Sequence, residues 1–390
     1  MDAATEDVTT LLSEYPVADT DAGSFLEHQF DLGIAWVHFR PGHGGRGLPP
    51  SVQADVDRQL SAAGAPVAFH LNPIGVGMIA PTIHDHGSAE QCEKWLRPLF
   101  SGREIWCQMF SEPGAGSDLA GVATSATRDG DTWVLNGQKV WTSFAHVARW
   151  GFVLARTDSE QPKHRGLTCF AVDMNADGVE VRPLYQMTGD AEFNEVYLTD
   201  VQAPDRHRIG NLGEGWRVAL TTLMNERVAI GGRPPQRGEG PIAEVLAAWA
   251  EVPDRSSGRR DVLMKLWSRA EALRLMSIGL QQTRSQLGPG PEGSLAKLMS
   301  AELNKDVYAF ALELLGPYGL LYPGGYPLAR SNHSPFERGR PQHDFLRAVA
   351  NSIEGGTSEI ARNILGERML GLPGEPRTDN SLRWSQVLRS

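Results

Sequence analysis

Apolar positions along the chain change period twice. Residues 1–103 carry mainly helical spacing. Ser88-Ala89-Glu90-Gln91 is a capping-box pattern, in which Ser88 and Gln91 satisfy each other's unpaired backbone donors, and it predicts a helix running through Leu96. Pro41 to Pro50 is a loop rich in Gly and Pro. From Glu104 to about Pro204 the pattern is short strands rich in β-branched and aromatic residues, such as Thr132 to Leu135, Trp150 to Leu154 and Leu167 to Val172. Asp129-Gly130 and Asn136-Gly137 supply turn signals between them. After Gly213 the helical period returns. Val262, Leu266, Ala270, Leu273, Met276 and Leu280 form one stripe, and Leu295, Met299, Leu303, Val307, Phe310 and Leu314 form another that Gly316-Pro317 ends. Two long antiparallel helices joined across Leu287 to Gly293 predict a helix bundle. Arg330 to Gln342 is expected to be an exposed loop. The order is helical, then a β-sandwich or barrel, then helical, an α+β chain.

Composition narrows the function classes. The 390 residues are 41% apolar and 22% charged, which is ordinary for a globular fold. Acidic residues outnumber basic ones 47 to 37, for a formal charge of −10, and this offers no basic surface for nucleic acid. The three cysteines, Cys92, Cys107 and Cys169, form no C-x-x-C pair, so neither a disulfide scaffold nor a cysteine zinc site is expected. There is no run of apolar residues long enough to span a membrane and no signal-peptide pattern at the acidic start, so a cytoplasmic protein is expected.

Two motifs reduce to plain structure. Gly42-His43-Gly44-Gly45-Arg46-Gly47 fits the dinucleotide glycine pattern literally, but prolines on both sides make it a loop. His84-Asp85-His86 lacks further ligands at metal-binding spacing and leads into the capped helix.

Other segments carry more. Phe110 to Gly121 follows a strand and combines small residues, which admit a flat ligand close to backbone, with the Ser111 and Ser117 hydroxyls. The same pattern also suits an ordinary Gly-rich turn between strands. Trp141-Thr142-Ser143, at a strand end, sets an indole beside hydroxyls; such a Trp packs on an aromatic cofactor or in a core. Glu226 continues the stripe Trp216, Ala219, Leu223 toward Ile230, where a carboxylate is out of place. Burial there would raise its pKa and suit a general base, whereas pairing with Arg227 or Arg233 would make it structural. Ser352 to Ile360 is a Gly-rich turn opening a helix, a capped start or a phosphate cradle.

Taken together, these segments resemble the acyl-CoA dehydrogenase family of flavoproteins, actinobacterial-type members in particular. The resemblance runs from Gly44-Gly45-Arg46-Gly47 to Arg368-Met369-Leu370-Gly371. Its most specific match is Ser111 to Asp118, followed by Asn136-Gly137-Gln138-Lys139, Trp141 and Gly356-Thr357-Ser358-Glu359-Ile360. It implies an N-terminal helical domain over 1–103, a middle β-barrel or sandwich domain over 104–205 and a C-terminal four-helix bundle domain over 206–390.

The resemblance further implies a bound FAD, an acyl-CoA substrate, an electron-transfer flavoprotein as partner, and a homodimer, homotetramer or mixed tetramer with a second, related subunit. Phe110, Ser111, Gly116, Ser117, Trp141, Ser143, Gly356, Thr357 and Glu359 fall at family cofactor positions, and Ser117 and Arg227 at substrate positions. The family places its catalytic glutamate at either of two positions. One directly precedes Gly-Thr; that slot is Gly355 here, with Glu354 one residue early. The other is matched residue for residue by Asn225-Glu226-Arg227, so Glu226 is the expected base and Glu354 the alternative. Two segments depart from the family pattern: the usual Arg-x-x-Phe-Gly segment is replaced by Arg233-Pro234-Pro235-Gln236-Arg237-Gly238, and the family's first helix has no convincing counterpart before Phe25. Rival readings are a carrier-protein thioester dehydrogenase, a flavin oxidase or N-oxygenase, and a non-catalytic subunit of a mixed oligomer.

Overall fold

The computed structural model describes residues 3–231, 234–253, 255–287, 290–322, 341–376, 379 and 381–387. The chain forms two compact units, Met1–Leu184 with Phe193–Asn225 and Arg377–Ser390, and Tyr185–Glu192 with Glu226–Pro376.

The first unit opens with helices α1 (Ala3–Glu14), α2 (Ala22–Asp31), α3 (Gln53–Ala62), α4 (Ala68–Leu71), α5 (Ala80–His86) and α6 (Ala89–Phe100). Helix α1 corrects the reading of no helix before Phe25. Its Val8 and Leu11 are buried in a small core with Phe25, Ile34 and Val56, a packing that local sequence does not announce. The α6 capping box is present with both reciprocal bonds, Gln91 N to Ser88 Oγ at 3.2 Å and Ser88 N to Gln91 Oε1 at 2.9 Å. His84-Asp85-His86 is the last turn of α5 and not a lead-in to α6. Buried Asn72 joins this layer to the sheet: its amide donates to Leu99 O (2.9 Å) and Glu104 O (3.2 Å) and accepts from the Trp106 and Gly75 amides.

Eight strands follow: β1 (Trp106–Met109), β2 (Ser125–Asp129), β3 (Thr132–Lys139), β4 (Trp150–Arg156), β5 (Leu167–Asp173), β6 (Val179–Pro183), β7 (Asn194–Pro204) and β8 (Arg208–Ile209). They run in the order β6-β7-β3-β2-β4-β5-β8, with β1 parallel to β4. Both faces of β4 and β5 are buried. Phe152, Leu154, Cys169 and Ala171 join the core shared with the helices, while Val153, Ala155, Phe170 and Val172 join a second core with Trp133, Leu135, Val196 and Leu198. That is why these two strands read as continuous apolar runs. Asn136-Gly137 is not a turn; it lies inside β3 at a bulge, where the register to β7 shifts.

Helix α7 (Gly215–Gly231) buries Val218, Ala219 and Thr222, with Trp216 and Leu223 packed on the helical core as the stripe predicts. The second unit contains α8 (Pro241–Glu251), α9 (Ser257–Leu287), α10 (Gly293–Leu315), α11 (Pro341–Ala348) and α12 (Ser358–Ile364). Ile242, Val245, Leu263, Leu266, Leu303, Val307, Phe310 and Leu314 fill its core. Val262 is exposed and Leu263 takes the buried place on α9. Pro341 and Gln342 begin α11 and are not loop; residues 330–340 of the predicted loop lie outside the described residues.

Candidate functional site

In the first unit the site elements gather where β1 and β3 end. The Val140 amide donates to Ser111 O at 2.9 Å, which sets the Phe110-Ser111 backbone beside the turn carrying Trp141. Phe110 itself is buried against Phe152, ring centroids 5.6 Å apart, so it anchors the loop. Trp141 and Phe144 adopt φ of 59° and 60°. The left-handed region is uncommon for bulky residues and costs on the order of 1–3 kcal/mol each, so the surroundings must impose it. Part of that constraint is visible: Thr142 N donates to Asn194 O (3.0 Å), and Asn194 N donates back to Thr142 O (3.1 Å). The outcome is an indole that is 59% exposed and, among the described residues, has its ring contact with Phe193, nearly perpendicular with centroids 5.9 Å apart.

Ser111 and Ser143 are half-buried, and among the described residues neither hydroxyl has a hydrogen-bond partner. The buried Thr142 Oγ1 is likewise unpaired. Gly116 and Ser117 lie exposed on the loop that follows β1.

An ion pair that sequence reasoning passed over holds this region. Lys139, fully buried at the end of β3, donates to Glu112 Oε1 (2.7 Å), Phe110 O (3.0 Å) and Leu154 O (2.7 Å). Glu112 also accepts from the amides of Ala123 (2.6 Å) and Thr124 (2.9 Å). Burial pushes the Glu112 carboxyl up, but the Lys139 ammonium and these hydrogen bonds outweigh it and hold the group below the usual carboxylate range. The sequence signal was a lysine closing an otherwise half-buried strand, three residues beyond the Asn136 bulge.

In the second unit the Gly-rich turn is built as the pattern predicts. Thr357 caps α12, its hydroxyl accepting from Ile360 N at 3.1 Å, and Gly355 and Gly356 take φ of 63° and 92°, which glycine alone adopts freely. From α10, the buried Lys297 ammonium donates to Gly356 O, and Glu302 accepts from the Ser358 hydroxyl at 2.8 Å. Glu359 is exposed, 3.3 Å from Arg362.

The two candidate bases lie in different elements. Glu354 is held in a two-pronged pair by Arg347 (3.0 and 2.8 Å) and accepts a third bond from Asn351 (2.8 Å). Glu226 is half-buried on α7, one turn beyond buried Thr222. The side chains of Arg227 and Ile230, and all of Arg233, lie outside the described residues.

An exposed indole in a turn that also carries the Ser143 hydroxyl and adjoins the Ser111 backbone is the kind of set a flat, polar-edged aromatic ring system needs, so the residues present fit a flavin. Among the described residues no cluster of His, Cys, Asp or Glu suits a metal, and no helix is long and apolar enough to cross a membrane.

This arrangement belongs to a known class. The sequence matches the acyl-CoA dehydrogenase N-terminal domain over residues 4–103, the middle domain over 107–201 and the C-terminal domain over 213–370, and the chain is a member of the acyl-CoA dehydrogenase family. It is therefore an oxidoreductase of an FAD-dependent class. It is 36% identical over 350 residues to the acyl-CoA dehydrogenase IpdE1 of Mycobacterium tuberculosis, covering 88% of this chain and 86% of that one. The acyl-CoA dehydrogenase FadE34 of the same organism is 38% identical over 345 residues; there the match spans 88% of this chain but 45% of the longer relative. Among solved structures, the ChsE4-ChsE5 complex from Mycobacterium tuberculosis superposes with a TM-score of 0.71 at 28% identity, over 96% of this chain and 99% of that one.

Proposed function

We propose that this protein carries out FAD-dependent α,β-dehydrogenation of an acyl-CoA thioester to the trans-2-enoyl-CoA, with an electron-transfer flavoprotein taking the electrons. The single observation that carries this reading is the exposed, left-handed Trp141 flanked by the unpaired Ser111 and Ser143 hydroxyls. When bound, FAD supplies the acceptor for the β-hydride. Ser111 and Ser143 would hold it through their hydroxyls, and Trp141 would pack on it. Gly116 and Ser117 lie on the same loop, where Ser117 meets the thioester ligand; Arg227 serves the substrate from α7. Gly356, Thr357 and Glu359 serve the cofactor from the α12 turn.

Glu226 acts as the base. Its carboxylate takes the α-proton as the β-hydrogen departs with its electron pair, leaving the new double bond between the α and β carbons. The engagement of Glu354 by Arg347 and Asn351 supports this choice, because turning that carboxylate toward a substrate would break three hydrogen bonds. The division into segments 1–103, 104–205 and 206–390 belongs to the same reading. So does a homo-oligomer or a mixed tetramer with a related subunit, which the likeness to the ChsE4-ChsE5 complex supports.

The test is anaerobic bleaching of the purified yellow protein by a panel of acyl-CoAs and carrier-protein thioesters, repeated in air with an oxygen electrode. Reduction by acyl-CoA with slow reoxidation in air is expected. Rapid oxygen consumption would identify an oxidase instead. Colourless protein, even when mixed with related subunits, would identify a binding subunit.

A further inference from the structure

The matched C-terminal domain ends at residue 370, yet Asp379 and residues 381–387 belong to the same compact unit as the sheet. This tail pairs with the loop between β4 and β5. Trp384 N donates to Gln161 O (2.9 Å), Ser385 N to Ser159 O (3.0 Å), and Arg383 pairs with Glu160 (2.8 Å). The buried Trp384 ring lies 4.7 Å from the Arg156 guanidinium, and its indole N–H donates to Gly121 O at 3.3 Å. Arg156, also buried, donates to Ala120 O (2.6 Å), Val122 O (3.3 Å) and Lys163 O (2.7 Å). Lys163 closes the arrangement: its ammonium reaches both Asp118 carboxylate oxygens at 3.0 Å and Asp379 Oδ2 at 2.6 Å.

The Trp384, Arg156 and Lys163 side chains all reach Asp118 to Val122, the segment immediately after exposed Ser117. A loop rich in small residues samples many conformations, and a ligand that must order it loses affinity by that entropy. Holding the loop in advance from the tail removes the cost.

We infer that the C-terminal tail is a strap that positions the Ser117 loop for the acyl thioester, with Trp384 and Lys163 as its positioning residues. This rests on Ser117 being the thioester contact. The strap is tied to the loop after Ser117 and to the β4–β5 connection, so its effect is expected on substrate binding and not on the chemical step.

The experiment uses the full-length, flavin-loaded enzyme and two variants, Trp384→Ala and the milder Asp379→Asn, which keeps the strap testable should the first fail to fold. Amide hydrogen exchange over residues 113–124 and steady-state kinetics are read together. Faster exchange in that segment with KM raised about tenfold and kcat within about twofold is expected, and Trp384→Phe should restore most of the KM. Unchanged exchange in both variants overturns the strap. Faster exchange with unchanged KM overturns its service to substrate binding while leaving the oxidoreductase reading intact. Failure of every acyl thioester to reduce the wild-type flavin would sink the functional reading and with it the strap's stated purpose.

Discussion

Replacing Lys139 with Met keeps most of the unbranched side chain and removes its charge from a site with no solvent access. Glu112, its side chain 8% exposed, would keep the Ala123 and Thr124 amides but lose its cation. Breaking a buried pair from one side costs about 3–5 kcal/mol. The Phe110 and Leu154 carbonyls would each lose a donor as well, at roughly 1 kcal/mol or more apiece. A loss of at least ~4 kcal/mol is therefore expected, against a total stability of about 5–15 kcal/mol for a typical domain. The pH dependence gives a second handle. In the native protein the Glu112 carboxyl is depressed, so its stabilisation is present above the unfolded carboxyl pKa and is lost as pH falls through the lower folded value. With Lys139 gone, burial acts against the charged form without the ammonium, the Glu112 pKa rises, and protonation relieves the variant. The penalty should thus shrink from pH 7 to pH 5. Urea denaturation followed by circular dichroism, on wild type, Lys139→Met, Glu112→Gln and the double variant at both pH values, measures this. The double variant should be less destabilised than the two singles summed. Simple additivity, or a Lys139→Met cost below about 1 kcal/mol, would refute the argument that this pair holds the Ser111 loop.

Glu226→Gln should retain flavin but slow anaerobic reduction on the order of 10²–10⁴-fold, while Glu354→Gln stays within a few-fold of wild type; stopped-flow rates with the two results exchanged would move the base to Glu354. Lys297→Met frees the Gly356 carbonyl from its only described cationic donor and should weaken flavin retention about tenfold, the worth of one charged hydrogen bond, with Lys297→Arg partly restoring it. Flavin fluorescence released on dilution reads that change, and undiminished retention would remove the turn from the cofactor site. The His207 pKa is lowered to about 4 by burial and then by Lys94 and Arg206. Its contribution should be complete above the unfolded histidine pKa, about 6.5, and be lost as pH falls toward 4. His207→Phe should flatten the melting-temperature profile across that window; an unchanged slope would assign the acid sensitivity elsewhere.

The succession of helix, strand and helix was legible because periodicity is a local property, and β4, β5, α7 and α10 each declare their buried face within a dozen residues. The α6 capping box and the Thr357 cap were legible for the same reason: each is satisfied within a single turn. The Ser111, Trp141 and Gly356-Thr357 segments stood out because their small residues, hydroxyls and aromatic interrupt the apolar periods on either side. Other features required the folded chain. Helix α1 is stabilised by contacts with Phe25, Ile34 and Val56, and its own twelve residues give a weak signal. Asn136-Gly137 carries the composition of a turn but serves as a bulge, since β7 continues the ladder past it. The left-handed Trp141 is imposed from Asn194, more than fifty residues away in sequence. The Lys139–Glu112 pair spans 27 residues and the Lys163–Asp379 pair 216. Sequence pattern decided which segments form and which side chains they offer; only tertiary packing decided which charges meet, because burial makes an ion pair obligatory where local sequence leaves it optional.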